Sequence, residues 1–207
     1  MNFRLTFRKR GTGPILRSQK TILRPPNIDD FKPWVDLRKS SRSFLEPWEP
    51  KWQDDELSRS GFRYRLHIYN KLSEEDRGQA LFIFNAVDQT LVGAININNV
   101  RRGVAQTATL GYWIGAPFAR YGFMADTLQL LMPYCFNEMA LHRLEAACLP
   151  TNFASIGLLK KSGFEQEGYA RKYLKIAGSW EDHALFARLT TRNRESQWAA
   201  TAATLTP

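Results

Sequence analysis

Residues 114–128, IGAPFARYGFMADTL, join a strand-like run to a helix-like one, and the join holds Pro117, Arg120 and Gly122. A loop feeding a helix can hold an anion, because backbone N–H groups and the positive end of the helix dipole converge there. Phosphate-cradling loops usually carry more glycine, and here Arg120 stands two residues before Gly122. The stretch reads as a phosphate-binding turn with a substitution in it, or as a plain connection.

Working outward, three strand-like runs precede the loop, at 80–87, 91–100 and 105–114, joined by DQT and RRG. Their alternation and short joints predict an antiparallel meander. After the loop, 122–137 reads as a helix that Pro133 should kink. Residues 143–149 form a buried strand, and 152–162 a short helix stopping at Gly163, a good residue to follow a helix end. Runs 167–176 and 180–188 alternate about AGS as a hairpin. Near the start, 21–24 is a short apolar strand before two prolines. Asp30 is placed to cap a helix reaching about Arg38, with Pro33 in its first turn, where a missing N–H costs no helical bond. FLEPWEPKW is broken twice by proline and reads as loop, and 54–72 carries apolar residues at helical spacing. A strand, helix and strand within a mostly antiparallel sheet requires one crossover. The loop ending at Gly122 then lies at the carboxyl end of a strand, where α/β folds place ligands.

With 207 residues, 13 Phe, 7 Tyr and 6 Trp, the chain has enough apolar material for one well-buried domain. No apolar run approaches the ~20 residues that cross a bilayer, so no membrane association is expected. The two cysteines, Cys135 and Cys148, lack CxxC spacing and fall in buried segments, which suits a reducing compartment; the cytoplasm is expected. The charge of +9 is uneven: residues 1–28 hold seven basic side chains and no acid, leaving +2 for the rest. Such an arm is either a solvated tail or a contact to RNA phosphates. The division expected is a basic arm at 1–19, a folded domain at 20–190 and a loose Thr- and Ala-rich tail at 191–207.

Three segments carry a resemblance. LGYWIGAPFARYGFMADTL, HRLEAACLPTNFASIGLLKKSGFEQEGYARKYLKIAGSWEDHALFA and SRSFLEPWEP resemble the Gcn5-related N-acetyltransferase (GNAT) superfamily. More narrowly, they resemble its ribosomal-protein-alanine acetyltransferases of the RimJ/RimL type, over roughly Lys20 to Leu189. The resemblance implies an α/β (α+β) fold, a mixed, mostly antiparallel twisted sheet of about seven strands flanked by about four helices. It implies acetyl-CoA as cosubstrate, no metal, and acetylation of an amine. The acceptor would be the N-terminal α-amine of Ala or Ser in a ribosomal protein such as S5.

In this family the pyrophosphate loop reads Q/R-x-x-G-x-G/A; its glycine positions fall here on Arg120 and Gly122 and its Q/R position on Pro117. Tyr112, Trp113, Ile114, Arg120, Tyr121, Gly122, Phe123, Met124 and Asn152 are the implied cofactor contacts. A backbone N–H of 112–114 would face the oxyanion. A Tyr common seven residues after the Asn is replaced by Leu159, whereas the RimL-type serine matches Ser155, the implied acid. On local sequence alone, Asn152 and Ser155 read simply as a helix cap and first-turn serine. Lys172 stands where the family offers a carboxylate base, leaving Glu145 or a water relay; Asp182 and His183 are a pair that could orient each other. Glu46 and Glu49 would attract the acceptor ammonium between walls of Trp48 and Trp52, which read equally well as core. Two rival readings remain open: a GNAT-fold enzyme for a small amine or antibiotic, and a non-catalytic CoA-binding ribosome-associated factor. The protein is expected to be a monomer or homodimer.

Overall fold

The computed structural model describes residues 13–191; the first twelve residues of the basic arm and the tail from 192 lie outside them. Eight strands form one sheet in the order β1-β2-β3-β4-β5-β6-β8-β7. They are β1 (Leu16–Arg17), β2 (Thr21–Arg24), β3 (Gln79–Asn85), β4 (Leu91–Arg101), β5 (Thr107–Ile114), β6 (Arg143–Cys148), β7 (Glu165–Ile176) and β8 (Ser179–Leu189). All neighbours are antiparallel except β5 and β6. The sheet has one strand beyond the expected seven: Leu16 and Arg17 pair with Leu23 and Ile22, within the segment assigned to the arm.

Five α-helices accompany the sheet: α1 (Phe31–Ser40), α2 (Arg42–Leu45), α3 (Arg59–Glu74), α4 (Phe123–Pro133) and α5 (Phe153–Lys161). The one beyond the expected four is α2, a single turn within the proline-broken stretch. Its neighbour Glu46–Trp48 is a 3₁₀ turn. Asp30 holds the N-cap position of α1 as expected, though its side chain makes no cap bond to that helix. A 3₁₀ turn, Ile28–Asp30, precedes it and is capped by Asn27: the Asn27 side chain accepts from Asp29 N, and the Asp30 carboxylate accepts from Asn27 N in a capping box. Ser58 caps α3 by accepting from Gly61 N at 2.9 Å, so that helix begins at Arg59 rather than near 54.

Strand alternation divides the apolar residues between two faces. Leu81, Ile83, Ile95, Ile97, Leu110 and Leu144 pack with Leu128 and Leu131 of α4 and Leu159 of α5. Phe82, Phe84 and Ala94 pack on the other face with Trp34 and Val35 of α1 and Phe62 of α3. Between β5 and β6, α4 is the crossover, and Pro133 marks its end. Lacking an N–H, Pro133 cannot continue the ladder, and Tyr134–Glu138 takes up a π turn, with Met139 N donating to Tyr134 O at 3.0 Å.

Candidate active site

The parallel pair β5–β6 is short. It runs from Thr107 opposite Arg143 to Leu110 opposite Ala146, and there it stops, although β5 continues to Ile114 and β6 to Cys148. The strands therefore diverge into a notch. Gly115 N donates to Val92 O at 2.8 Å, so the antiparallel alternation turns the peptides of residues 111 and 113 toward β4. The peptides of Tyr112 and Ile114 face the notch instead. Two N–H groups thus point where a carbonyl oxygen entering between the strands could be received.

At the carboxyl end of β5 the chain makes a 3₁₀ turn, Ala116–Phe118, and enters α4. Arg120 has φ 67° and Gly122 φ 82°, both left-handed. Gly122 sits at the helix cap and no side chain caps α4, so the N–H groups of Phe123 and Met124 stay open to an anion. This conformation suits a pyrophosphate, and Arg120 is exposed, free to add its guanidinium to such an anion. Arg120 holds its position against a cost of ~1–2 kcal/mol for a non-glycine residue in this region. Tyr121 lies exposed in the loop, while Met124 is buried in the core behind it.

On the same side of the sheet, Asn152 caps α5 with its Oδ1 accepting from Ser155 N at 3.0 Å. This is the cap that local sequence suggests, and it fixes Ser155 in the first turn. The Ser155 Oγ lies 2.7 Å from the Tyr112 Oη, bridging the two sides of the notch. Burial pushes the Tyr112 phenol well above its ordinary range, with the Ser155 hydrogen bond opposing, so it stays protonated. Cys148 also has a raised pKa from burial, opposed by Ser155.

The other face carries the acceptor candidates. Arg38 grips Glu49 through two bonds of 2.7 and 2.6 Å, and Trp52 Nε1 donates to the same carboxylate at 2.9 Å. Both Glu49 oxygens are committed, so its charge is answered from within. Glu46 pairs with Arg42 in the open, at 2.6 Å, and Trp48 is exposed. Trp113, one residue past Tyr112, turns to this face and packs with the second core.

Glu145 lies between Leu144 and Ala146, which point into the α4–α5 core, so its carboxylate emerges on the opposite face from Ser155. There it meets Arg143 Nε at 2.8 Å and Arg101 at 3.7 Å. The structure does not bring it to the serine. Asp182 and His183 do not orient each other either, since neighbours on a strand point to opposite faces. Asp182 accepts from Tyr169 Oη and from Lys172 N, both at 2.8 Å, and these bonds hold its carboxyl below the usual range, the Lys172 peptide first. The His183 ring packs edge-on to Tyr173 with Nδ1 2.9 Å from Glu181 O.

Two residues of the site escape sequence reading. Lys20 rests 5.2 Å from the Phe123 ring centroid, beside Gly122 at the start of α4. Ser18 and Thr21, flanking it, both donate to Asp126 in the first turn of that helix. A basic residue between two hydroxyls is the only local hint. Arg38 is the second; nothing in its surroundings in the chain separates it from an ordinary surface arginine.

A family model of the acetyltransferase (GNAT) domain matches residues 20–165. The probable N-acetyltransferase YjcK of Bacillus subtilis is 35% identical over 175 residues, covering 84% of this chain and 97% of that protein. The ribosomal protein uS5-alanine N-acetyltransferase of Escherichia coli is 34% identical over 176 residues, covering 85% and 90%. Among solved structures, Mycobacterium smegmatis RimJ in complex with CoA-disulfide is 27% identical, with a TM-score of 0.79 and coverage of 92% and 94%.

The loop geometry sets up a paired test by calorimetry with acetyl-CoA and by chemical denaturation. Gly122→Val places a β-branched side chain at φ 82° and should abolish binding. Arg120→Gly should preserve or tighten binding and raise stability by up to ~1 kcal/mol, the relieved strain less the added chain entropy. Unchanged affinity in Gly122→Val would make the loop a mere connector.

Proposed function

The chain belongs to the acetyltransferase (GNAT) family and is an acetyl-CoA-dependent acyltransferase, and on that premise we propose that it acetylates the N-terminal α-amine of a ribosomal protein. The observation that carries the reading is the notch itself, with Tyr112 and Ile114 peptides on one side and Ser155 reaching across it to Tyr112. The name of the Escherichia coli relative, 34% identical over most of both chains, supports the acceptor class.

When bound, acetyl-CoA supplies an acetyl thioester and takes away the thiolate. Arg120, Tyr121, Gly122, Phe123 and Met124 would hold its pyrophosphate through backbone N–H groups at the start of α4, with Lys20 adding charge. Asn152 would contact the pantetheine arm as well as capping α5. The Tyr112 or Ile114 N–H would stabilise negative charge developing on the acetyl oxygen, worth about 3 kcal/mol for one well-placed donor. Ser155 Oγ–H would protonate the departing sulfur, the Tyr112 hydroxyl, hydrogen-bonded to it, would orient it, and the proton shed by the attacking amine would return to the serine through water in the notch.

The amine needs no strong base. An α-amine has a pKa of ~7.7–8.0 and is substantially neutral near pH 7.5, whereas a lysine amine, at ~10.4, is not. This matters because Lys172 occupies the family's base position and Glu145 is held by arginines on the opposite face from Ser155. Water in the notch would accept the proton. Trp48 and Trp52 would wall the acceptor cleft, with Glu46 its outward carboxylate and Glu49 anchored within. The basic side chains of the arm, residues 1–19, would add phosphate contacts to a substrate presented on ribosomal RNA.

Peptides starting with Ala or Ser and continuing with basic sequence should therefore be acetylated at the α-amine, located by mass spectrometry. The rate should climb with pH toward the α-amine pKa, and Tyr112, its pKa raised, should add no limb below pH ~10. Acetyl groups mainly on lysines, a polyamine or an aminoglycoside would overturn the assignment. In the same assay Ser155→Ala should lower turnover by roughly 10²–10⁴ while leaving acetyl-CoA affinity nearly unchanged. Full turnover in a chemistry-limited step would remove Ser155 from the mechanism.

A further inference from the structure

The buried charge of Arg38 has no part in the scheme so far. Its side chain is 6% exposed and that of Glu49 18%. The guanidinium stacks 4.2 Å from the Trp52 ring and 5.0 Å from the Trp113 ring, so an indole from the acceptor loop and one from β5 meet on one cation. Its two terminal nitrogens are spent on Glu49, and Nε is buried with no hydrogen-bond partner among the described residues. Burying a charge this way is costly and is weak evidence of stabilisation by itself.

The neighbours of Arg38 on α1 explain what the placement does. Ser41 Oγ accepts from Ala116 N at 2.9 Å, at the entrance of the CoA loop. Leu37 packs so closely on Gly115 that a Cβ there would fall 2.4 Å from the leucine Cδ1. The end of α1 is thus fastened to residues 113, 115 and 116 on one side and to Glu49 and Trp52 on the other. Glu49 O in turn accepts from Ala177 N at the β7–β8 turn. Among the described residues, no sheet pairing joins the acceptor loop directly to β5.

We infer that Arg38 is a positioning residue for acetyl transfer, holding the acceptor loop in register with the β5 peptides that face the notch. The inference rests on the acceptor entering from the α1 face, as proposed above. Lysine cannot take over the role: its single ammonium neither spans both carboxylate oxygens nor stacks flat between two rings. Arg38→Lys should therefore keep the charge and the fold while letting the loop drift.

A matched control exists within the same protein. Arg24 grips Asp30 through bonds of 2.8 and 2.6 Å and lies 4.1 Å from the Phe84 ring, the same chemistry on β2, away from the notch. We expect Arg38→Lys and Glu49→Gln each to lower kcat/KM at least tenfold, using whichever amine the wild-type enzyme acetylates. The acetyl-CoA Kd, by calorimetry, should stay within about threefold. Amide hydrogen exchange should quicken at 46–52 and 111–114 in both variants, a readout that needs no acceptor. Arg24→Lys should show the loss of thermal stability without either change. Glu49→Gln carries the test should Arg38→Lys fail to fold. The inference falls if kinetics and exchange in the Arg38 and Glu49 variants match those of Arg24→Lys, or if activity falls only in proportion to acetyl-CoA affinity. Failure of wild type on every α-amine peptide would count against the acceptor assignment alone.

Discussion

The divergence of β5 from β6 after Leu110 and Ala146 is the constraint on which the rest depends. A sheet normally spends every backbone N–H on a neighbouring strand, because an unpaired one is costly when buried. Here the chain leaves the Tyr112 and Ile114 peptides unspent, and it does so at the carboxyl end of a strand. The same separation makes room for Ser155 to approach Tyr112 from α5. It also starts the turn that brings Gly122 to the head of α4. The proposed oxyanion donors, proton donor and phosphate seat thus follow from one interrupted ladder.

Keeping such a notch open requires rigid walls. On the α4–α5 side, Leu128, Leu131, Leu144 and Leu159 are fully buried and lock the helices to the sheet. On the other side, α1 docks through Leu37, Arg38 and Ser41, whose partners are the residues leading into the loop. Left-handed Arg120 is strain of ~1–2 kcal/mol held by this surrounding framework, as is common where a backbone must meet a ligand.

Much of this was legible in the sequence where a residue's physics is local. Pro133 had to disturb its helix, and the chain answered with a π turn. Asn152 looked like a cap and is one. The alternation of Leu144, Ala146 and Cys148 also carried, unread, the fact that Glu145 must face away from Ser155. What could not be read depends on contacts between distant segments. The Tyr112–Ser155 bond exists because two strands part, and the Arg38 stack because a loop folds back onto β5. The cap at Asn27 was missed because its 3₁₀ turn precedes the helical periodicity.

The most direct test of the account is a crystal structure of the enzyme with acetyl-CoA. With acetyl-CoA bound, the acetyl oxygen should lie within hydrogen-bond distance of the Tyr112 or Ile114 N–H, the thioester sulfur within reach of Ser155 Oγ, and the pyrophosphate on the backbone of residues 120–124. A thioester lying outside the notch, with the β5 peptides and Ser155 facing only solvent, would contradict it.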